Sequence, residues 1–172
     1  MVKKSLSRLV KKIKIYYPLG LIFLYLLGIT LLLKNFYQWN WYSWMNFFMA
    51  GFFLIFSFFK LLDLQGFFKV YQTYDLIAKK LPLYGYLYPI IELILGLGYL
   101  VQIYPLVVNL ITFIIMGVSS IGVLISLTKK KSIQCACLGT FFELPMSKLT
   151  LFEDLLMLGM AGIMLIKISA LS

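Results

Sequence analysis

Histidine is missing from the chain altogether. That absence removes Ser-His-Asp and Cys-His catalysis, histidine-ligated metal sites and histidine proton relays together. Acidic residues are scarce as well, six against sixteen basic ones. Charged residues of both signs make up 13% of the 172 positions, while 62% are hydrophobic. A soluble domain of this length could not hide that much apolar surface. Any chemistry therefore falls to Cys, Asp, Glu, Lys, Tyr or Met, in a protein built for a bilayer.

Five stretches are long and apolar enough to cross: about Ile15–Leu33, Asn46–Leu62, Tyr86–Ile103, Leu106–Leu127 and Leu151–Ile168. A crossing needs about 20 residues, fewer where the ends lie in the interface. Little more than Tyr104-Pro105 separates the third from the fourth, so these two form a tight transmembrane hairpin. Pro105 suits that turn because it lacks the donor a continuing helix needs. The basic start "MVKKSLSRLVKKIKIYYPLG" looks like a signal peptide, but "KNFYQWNWYSW" follows its apolar run instead of a small-residue cleavage site. It reads as an uncleaved anchor.

The net charge of +10 does not point to nucleic acid, because the basic residues flank apolar spans and suit anionic lipid instead. With the N-terminus in the cytosol, the inner segments hold Lys3, Lys4, Arg8, Lys11, Lys12, Lys14, Lys60, Lys69, Lys79, Lys80, Lys129, Lys130, Lys131 and Lys148. Only Lys34 and Lys167 fall outside. The positive-inside rule selects this arrangement, with the C-terminus outside. Trp39, Trp41 and Trp44 in the outer loop Tyr37–Trp44 then form an aromatic belt at the far interface.

Between the second and third spans lies "DLQGFFKVYQTYDLIAKKLPLYGY". Leu64, Phe67, Phe68, Tyr71 and Tyr74 share helical spacing, and Lys69, Gln72, Lys79 and Lys80 are polar. The pattern predicts an interfacial amphipathic helix ended by Pro82. It serves as a connector sealing the bundle end or as a docking face for a partner.

All six acidic residues, Asp63, Asp75, Glu92, Glu143, Glu153 and Asp154, fall on the cytosolic side in this threading. A carboxylate at mid-membrane costs about 2.5–3.5 kcal/mol on insertion scales, so Glu92 calls for a partner, and Lys60 is the natural one. Glu153 and Asp154 open the fifth span, where acidic groups suit the helix dipole and Thr150 is placed to cap. On the same helix Glu153, Met157, Met160 and Met164 share one face. Thioethers are soft ligands, yet such a stripe more often packs a core.

The chain's two cysteines, Cys135 and Cys137, lie in the loop between the fourth and fifth spans, just after Lys129–Lys131. A disulfide across one residue closes a strained ring that is easily reduced, and the lysines favour the thiolates. The pair suits exchange, or two-coordinate binding of a soft metal; two unremarkable interfacial thiols are the plain alternative.

Several motifs in order carry a family resemblance: "FFMAGFFLIFSFFKLLDLQGFFKVYQTYDLIAKKLP", then "YPIIELILGLGYL", then "KKKSIQCACLG". They resemble the MauE (methylamine-utilisation) branch of the DoxX-like membrane proteins. That family is similar in having a lysine closing one span, an aromatic amphipathic stretch, P-x-x-E opening the next span, and a basic C-x-C-[FL]-G before the last. The features carried over are Lys60, Glu92, Cys135, Cys137 and Gly139, over about Asn46 to Ile168.

The resemblance implies an all-α integral membrane fold, a DoxX/MauE-like four-helix transmembrane bundle. Residues 46–172 would form that bundle. Residues 1–45 would add the basic N-terminus, one extra transmembrane helix and the aromatic outer loop. It also implies a redox-associated protein of the inner (plasma) membrane, beside a thioredoxin-like or heavy-metal-binding partner. Cys135 and Cys137 would be the exchanging pair, with Lys60, Glu92 and Gly139 organising or binding; Glu153 and Asp154 join that set from their own place at the head of the fifth span. Three functions follow from these readings. The first is thiol–disulfide exchange supporting maturation of a partner. The second is soft-metal binding or transport through Cys135, Cys137, Met157, Met160 and Met164. The third is a non-catalytic assembly factor. No cofactor other than a soft metal ion is expected.

Overall fold

The computed structural model describes Tyr17 and residues 20–32, 41–128 and 148–171. Among these residues every regular element is a helix: α1 Gly20–Leu32, α2 Trp41–Leu62, α3 Leu64–Tyr71, α4 Pro82–Val101, α5 Pro105–Thr128 and α6 Lys148–Leu171. Three of them, α2, α4 and α5, are long and apolar enough to cross a membrane. Helix α6 has the length and carries Glu153 and Asp154 inside it. Thirteen residues of α1 are described, about 20 Å of helix.

Helices α2 and α4 pack along their lengths, as do α5 and α6, and the two pairs close around one core. Aromatics and methionines fill it: Phe48, Phe53 and Phe56 of α2 meet Tyr99 of α4, Met116 of α5 and Met157 of α6. Close approach of α4 to α2 depends on Gly96, where a Cβ would lie 3.1 Å from the Leu54 backbone nitrogen. Helix α1 joins by setting Leu26 onto Gly51 and Phe23 between Phe48 and Phe52, at ring separations of 6.1 and 6.0 Å.

The α4–α5 connection is the tight hairpin expected. Helix α4 ends on Gln102 in the left-handed region (φ 57°), Tyr104 is left-handed too (φ 46°), and Pro105 opens α5. Inside the turn Tyr99 donates its hydroxyl to Asn109 Oδ1 (3.0 Å), and Asn109 Nδ2 donates to the Pro105 carbonyl (2.8 Å).

The connection between α2 and α4 differs from expectation. The amphipathic helix stops at Tyr71, and hydrogen-bonded turns continue to Leu81. Pro82 starts α4 instead of ending α3, a position that suits proline because a first-turn N–H has no intrahelical partner anyway. Asp63 caps α3 by accepting from the Gly66 N–H (3.0 Å). Asp75 closes the following turns, accepting from the N–H groups of Ile77 (2.9 Å) and Ala78 (2.7 Å).

Phe67, Tyr71 and Tyr74 point inward and pack with Ala78, Tyr88 and Val123. Of the two readings of this stretch, the structure supports the connector over the docking face at these positions: its aromatic stripe is spent sealing the bundle end. Burial, followed by Tyr88, Tyr84 and Asp75, pushes ionisation of Tyr71 well above the ordinary 10.0. Its hydroxyl stays protonated and donates to Asp75 Oδ2 (3.0 Å). The aromatic outer loop is also revised, since Trp41 and Trp44 belong to the first turn of α2 and stack at 5.3 Å; Trp39 lies outside the described residues.

Candidate buried ionisable centre

Lys60 stands in the last turn of α2, and Glu92 lies ten residues into α4. The α2–α4 pairing brings them together, with Lys60 Nζ 2.6 Å from both Glu92 oxygens. Both side chains are nearly sealed, at 6% and 2% exposure. The partner chosen for Glu92 from the sequence is the one the fold supplies. The ammonium also sits over two rings, 4.9 Å from the Tyr88 centroid and 5.6 Å from that of Phe67. Such contacts favour a desolvated cation by about 2 kcal/mol.

The pair faces α6 across a cavity of about 20 Å³, room for one water molecule. Glu153 and Asp154 line it from α6, Ser119 and Met116 from α5, and Tyr71 and Tyr74 from the sealing segment. Ser119 donates its hydroxyl to Asp154 Oδ2 at 2.9 Å. One ammonium and three carboxyl groups thus share one small space. Glu153 and Asp154 come to it in a different way from that expected. Helix α6 begins at Lys148, so Thr150 is its third residue and not its cap, and no acidic side chain lies in the first turn. The dipole account loses its footing, because that field acts mainly within the terminal turn.

The methionine stripe is one buried face, as its spacing implies. Met157 and Met164 have no exposed surface and belong with Met160 to the aromatic–methionine core. In this arrangement the thioethers pack. Among the described residues no group of three or more Cys, Asp, Glu or His is placed to hold a metal ion. Cys135, Cys137, Gly139, Glu143 and Lys129–Lys131 lie outside the described residues.

Two contributors escaped the sequence reading. Tyr88 stands one turn before Glu92 and therefore on the same face. Ser119 belongs to a line of polar residues in an otherwise apolar span, Asn109, Thr112, Ser119 and Ser126, all on the buried side of α5. That periodicity was available in the sequence; the carboxylate it would meet was not.

The profile of the family described as methylamine utilisation protein MauE matches residues 17–167. The chain belongs to the MauE family. The match reaches further than the Asn46–Ile168 on which the resemblance rested, and it takes in α1. Comparison with curated proteins and with solved structures returned no match. The buried Lys60–Glu92 pair, Glu153 and Asp154 all fall within the matched region. In this MauE-family membrane protein the lysine closing α2 and the P-x-x-E of α4 are a single ion pair.

Proposed function

We propose that this MauE-family protein is a membrane thiol–disulfide exchange protein whose Cys135–Cys137 pair works at the end of the bundle that holds the ionisable centre. One observation carries the reading. Both cysteines belong to the segment 129–147, which joins the end of α5 at Thr128 to the start of α6 at Lys148. Ser119 lies nine residues before the first point and Glu153 five residues after the second, about 13 and 8 Å along their helices. The helix ends that flank this segment therefore lie at the same end of the bundle as the centre.

The chemistry asks little of the fold. One cysteine thiolate attacks a sulfur of a partner's disulfide, forming a mixed disulfide and releasing a partner thiolate. The second cysteine then attacks the mixed disulfide, closes the C-x-C ring and releases the other partner thiolate. Two electrons pass to the partner, and the protons lost by the two cysteines balance those its thiolates take up. A thioredoxin-like protein is the partner class this suits, and the strained ring makes the step readily reversible. Lys69, Lys79 and Lys80, all exposed beside the sealing segment, support a cytosolic placement of this end in the inner membrane.

The test is differential alkylation of Cys135 and Cys137 with and without reductant, read by mass. The expected result is a two-thiol mass shift on reduction, lost in Cys135→Ser. A pair that stays reduced under every condition, with function intact in Cys135→Ser, would sink the reading. Retention of Cu(I) by protein purified under reducing conditions, above a Cys135→Ser/Cys137→Ser control, would replace it with a soft-metal site. Labelling the cysteines from each side of intact cells tests the orientation separately.

A further inference from the structure

A second cavity, away from the ionisable centre, is walled by α1, α2 and α6 and measures about 410 Å³. Every residue lining it is apolar or aromatic. It exists because α6 packs closely on α5 and barely touches α2, leaving a seam that α1 only partly covers. Met45, Phe48 and Met160 form its buried floor. Leu27, Trp41, Phe152 and Ile163 stand at its rim, between 41% and 58% exposed. That rim continues into the outward apolar faces of α1 and α6, where Leu24, Leu31, Leu155 and Ile166 are exposed as well. In a bilayer such faces meet hydrocarbon and not water.

The dimensions select the occupant. Along α6 the slot runs from Phe152 to Ile163, eleven residues or about 16 Å. Its volume of about 410 Å³ spread over that length gives a mean cross-section of about 26 Å². A helix with side chains is about 10–12 Å across and needs about 80–110 Å². Even at twice that mean cross-section the slot cannot enclose a helix of this chain or another. Apart from the indole N–H groups of Trp41 and Trp44, its side chains offer no polar or charged group to seat a charged ligand. An empty slot would forfeit dispersion contacts on every wall.

We propose that this seam is a lipid site holding one acyl chain of a bilayer phospholipid, with its glycerol end at the stacked Trp41–Trp44 pair. Tryptophans favour the headgroup level, which fixes the polarity of the bound chain. A chain in the slot touches protein on three sides and is held more firmly than the lipids around it.

The experiment uses the full chain in bilayer discs with phosphatidylcholine spin-labelled on its acyl chain. Electron spin resonance should show an immobilised component close to one lipid per chain. Leu156→Trp fills the slot and should reduce that component to the background of unbound annular lipid. Leu27→Trp does the same from the half-open rim, where overpacking is more easily absorbed. Ile114→Trp, on an exposed face of α5, should leave the component unchanged; helicity by circular dichroism accompanies each variant. An immobilised component absent from the wild type, or equal in Leu156→Trp, Leu27→Trp and Ile114→Trp, overturns the proposal. So does co-purification of an isoprenoid or a peptide in place of phospholipid.

Discussion

Breaking the Lys60–Glu92 pair one residue at a time should cost far more than removing both residues. At the 2.6 Å separation of Lys60 Nζ and Glu92 Oε2, the attraction is about 6 kcal/mol at an effective dielectric of 20. Removing each ion from water costs several kcal/mol, so the net worth of the intact pair lies near zero. The asymmetry appears on truncation. Glu92→Gln takes away the carboxylate that Lys60 touches and leaves its ammonium among Phe56, Phe67 and Tyr88 with Glu153 and Asp154 across the cavity, and Lys60→Met leaves three carboxyl groups there with no cation among the lining residues. Each single change should destabilise by about 3–5 kcal/mol. Lys60→Met/Glu92→Leu, which keeps volume and removes both charges, should stay within about 1–2 kcal/mol of wild type. The assay is reversible unfolding in mixed detergent micelles, with all four proteins compared as a cycle. Singles costing under about 1 kcal/mol, the range of exposed pairs, would show that the centre is wet. A double variant as damaged as the two singles together would show that the residues do not act as a pair.

Other outcomes follow from contacts elsewhere in the bundle. Gly122→Ala would place a Cβ 2.9 Å from the Tyr74 carbonyl oxygen and 3.4 Å from Asp75 Cα. Backbone cannot swing aside, so a loss of about 1–3 kcal/mol is expected, whereas Gly159→Ala, with nothing within 4 Å, should be tolerated; thermal unfolding compares them. Phe67→Asp puts an ionised group into the fully buried face of α3 and should open the sealed end, read as faster proteolysis of the 63–81 segment. Tyr71 has its ionisation raised in the folded state above 10.0. Its contribution is therefore complete below pH 10 and lost as the pH climbs above it, because the unfolded chain gives up that proton first. Tyr71→Phe should lessen the fall in stability measured above pH 10.

The described helices show which signals carried. The hairpin at Tyr104-Pro105 was legible because a proline between two apolar runs leaves little choice of backbone. The Lys60–Glu92 pair was legible because a buried carboxylate needs a cation and α2 ends on one. The N-terminal boundaries were not. Trp41 and Thr150 read as loop and cap, yet both lie inside helices, since aromatic and β-branched residues carry no strong stop. Pro82 was read as an end and is a beginning, because the same missing N–H suits either side of a helix boundary.

The sequence alone determined the solvent. Its hydrophobic excess, the absence of histidine and the lysines beside apolar runs required an α-helical membrane protein with chemistry restricted to a few side chains. Those are properties of single residues and short windows, so they survive without knowledge of contacts. The tertiary structure decided what the interior residues face. It decided between seal and docking stripe for Phe67 and Tyr71, in favour of the seal, and it assigned Met157 and Met164 to the core. It joined Ser119 to Asp154 across 35 positions of chain. It also opened the α2–α6 seam, which no local pattern encodes. Side-chain environment inside a bundle depends on which helices become neighbours, and that is settled by the packing of all of them at once.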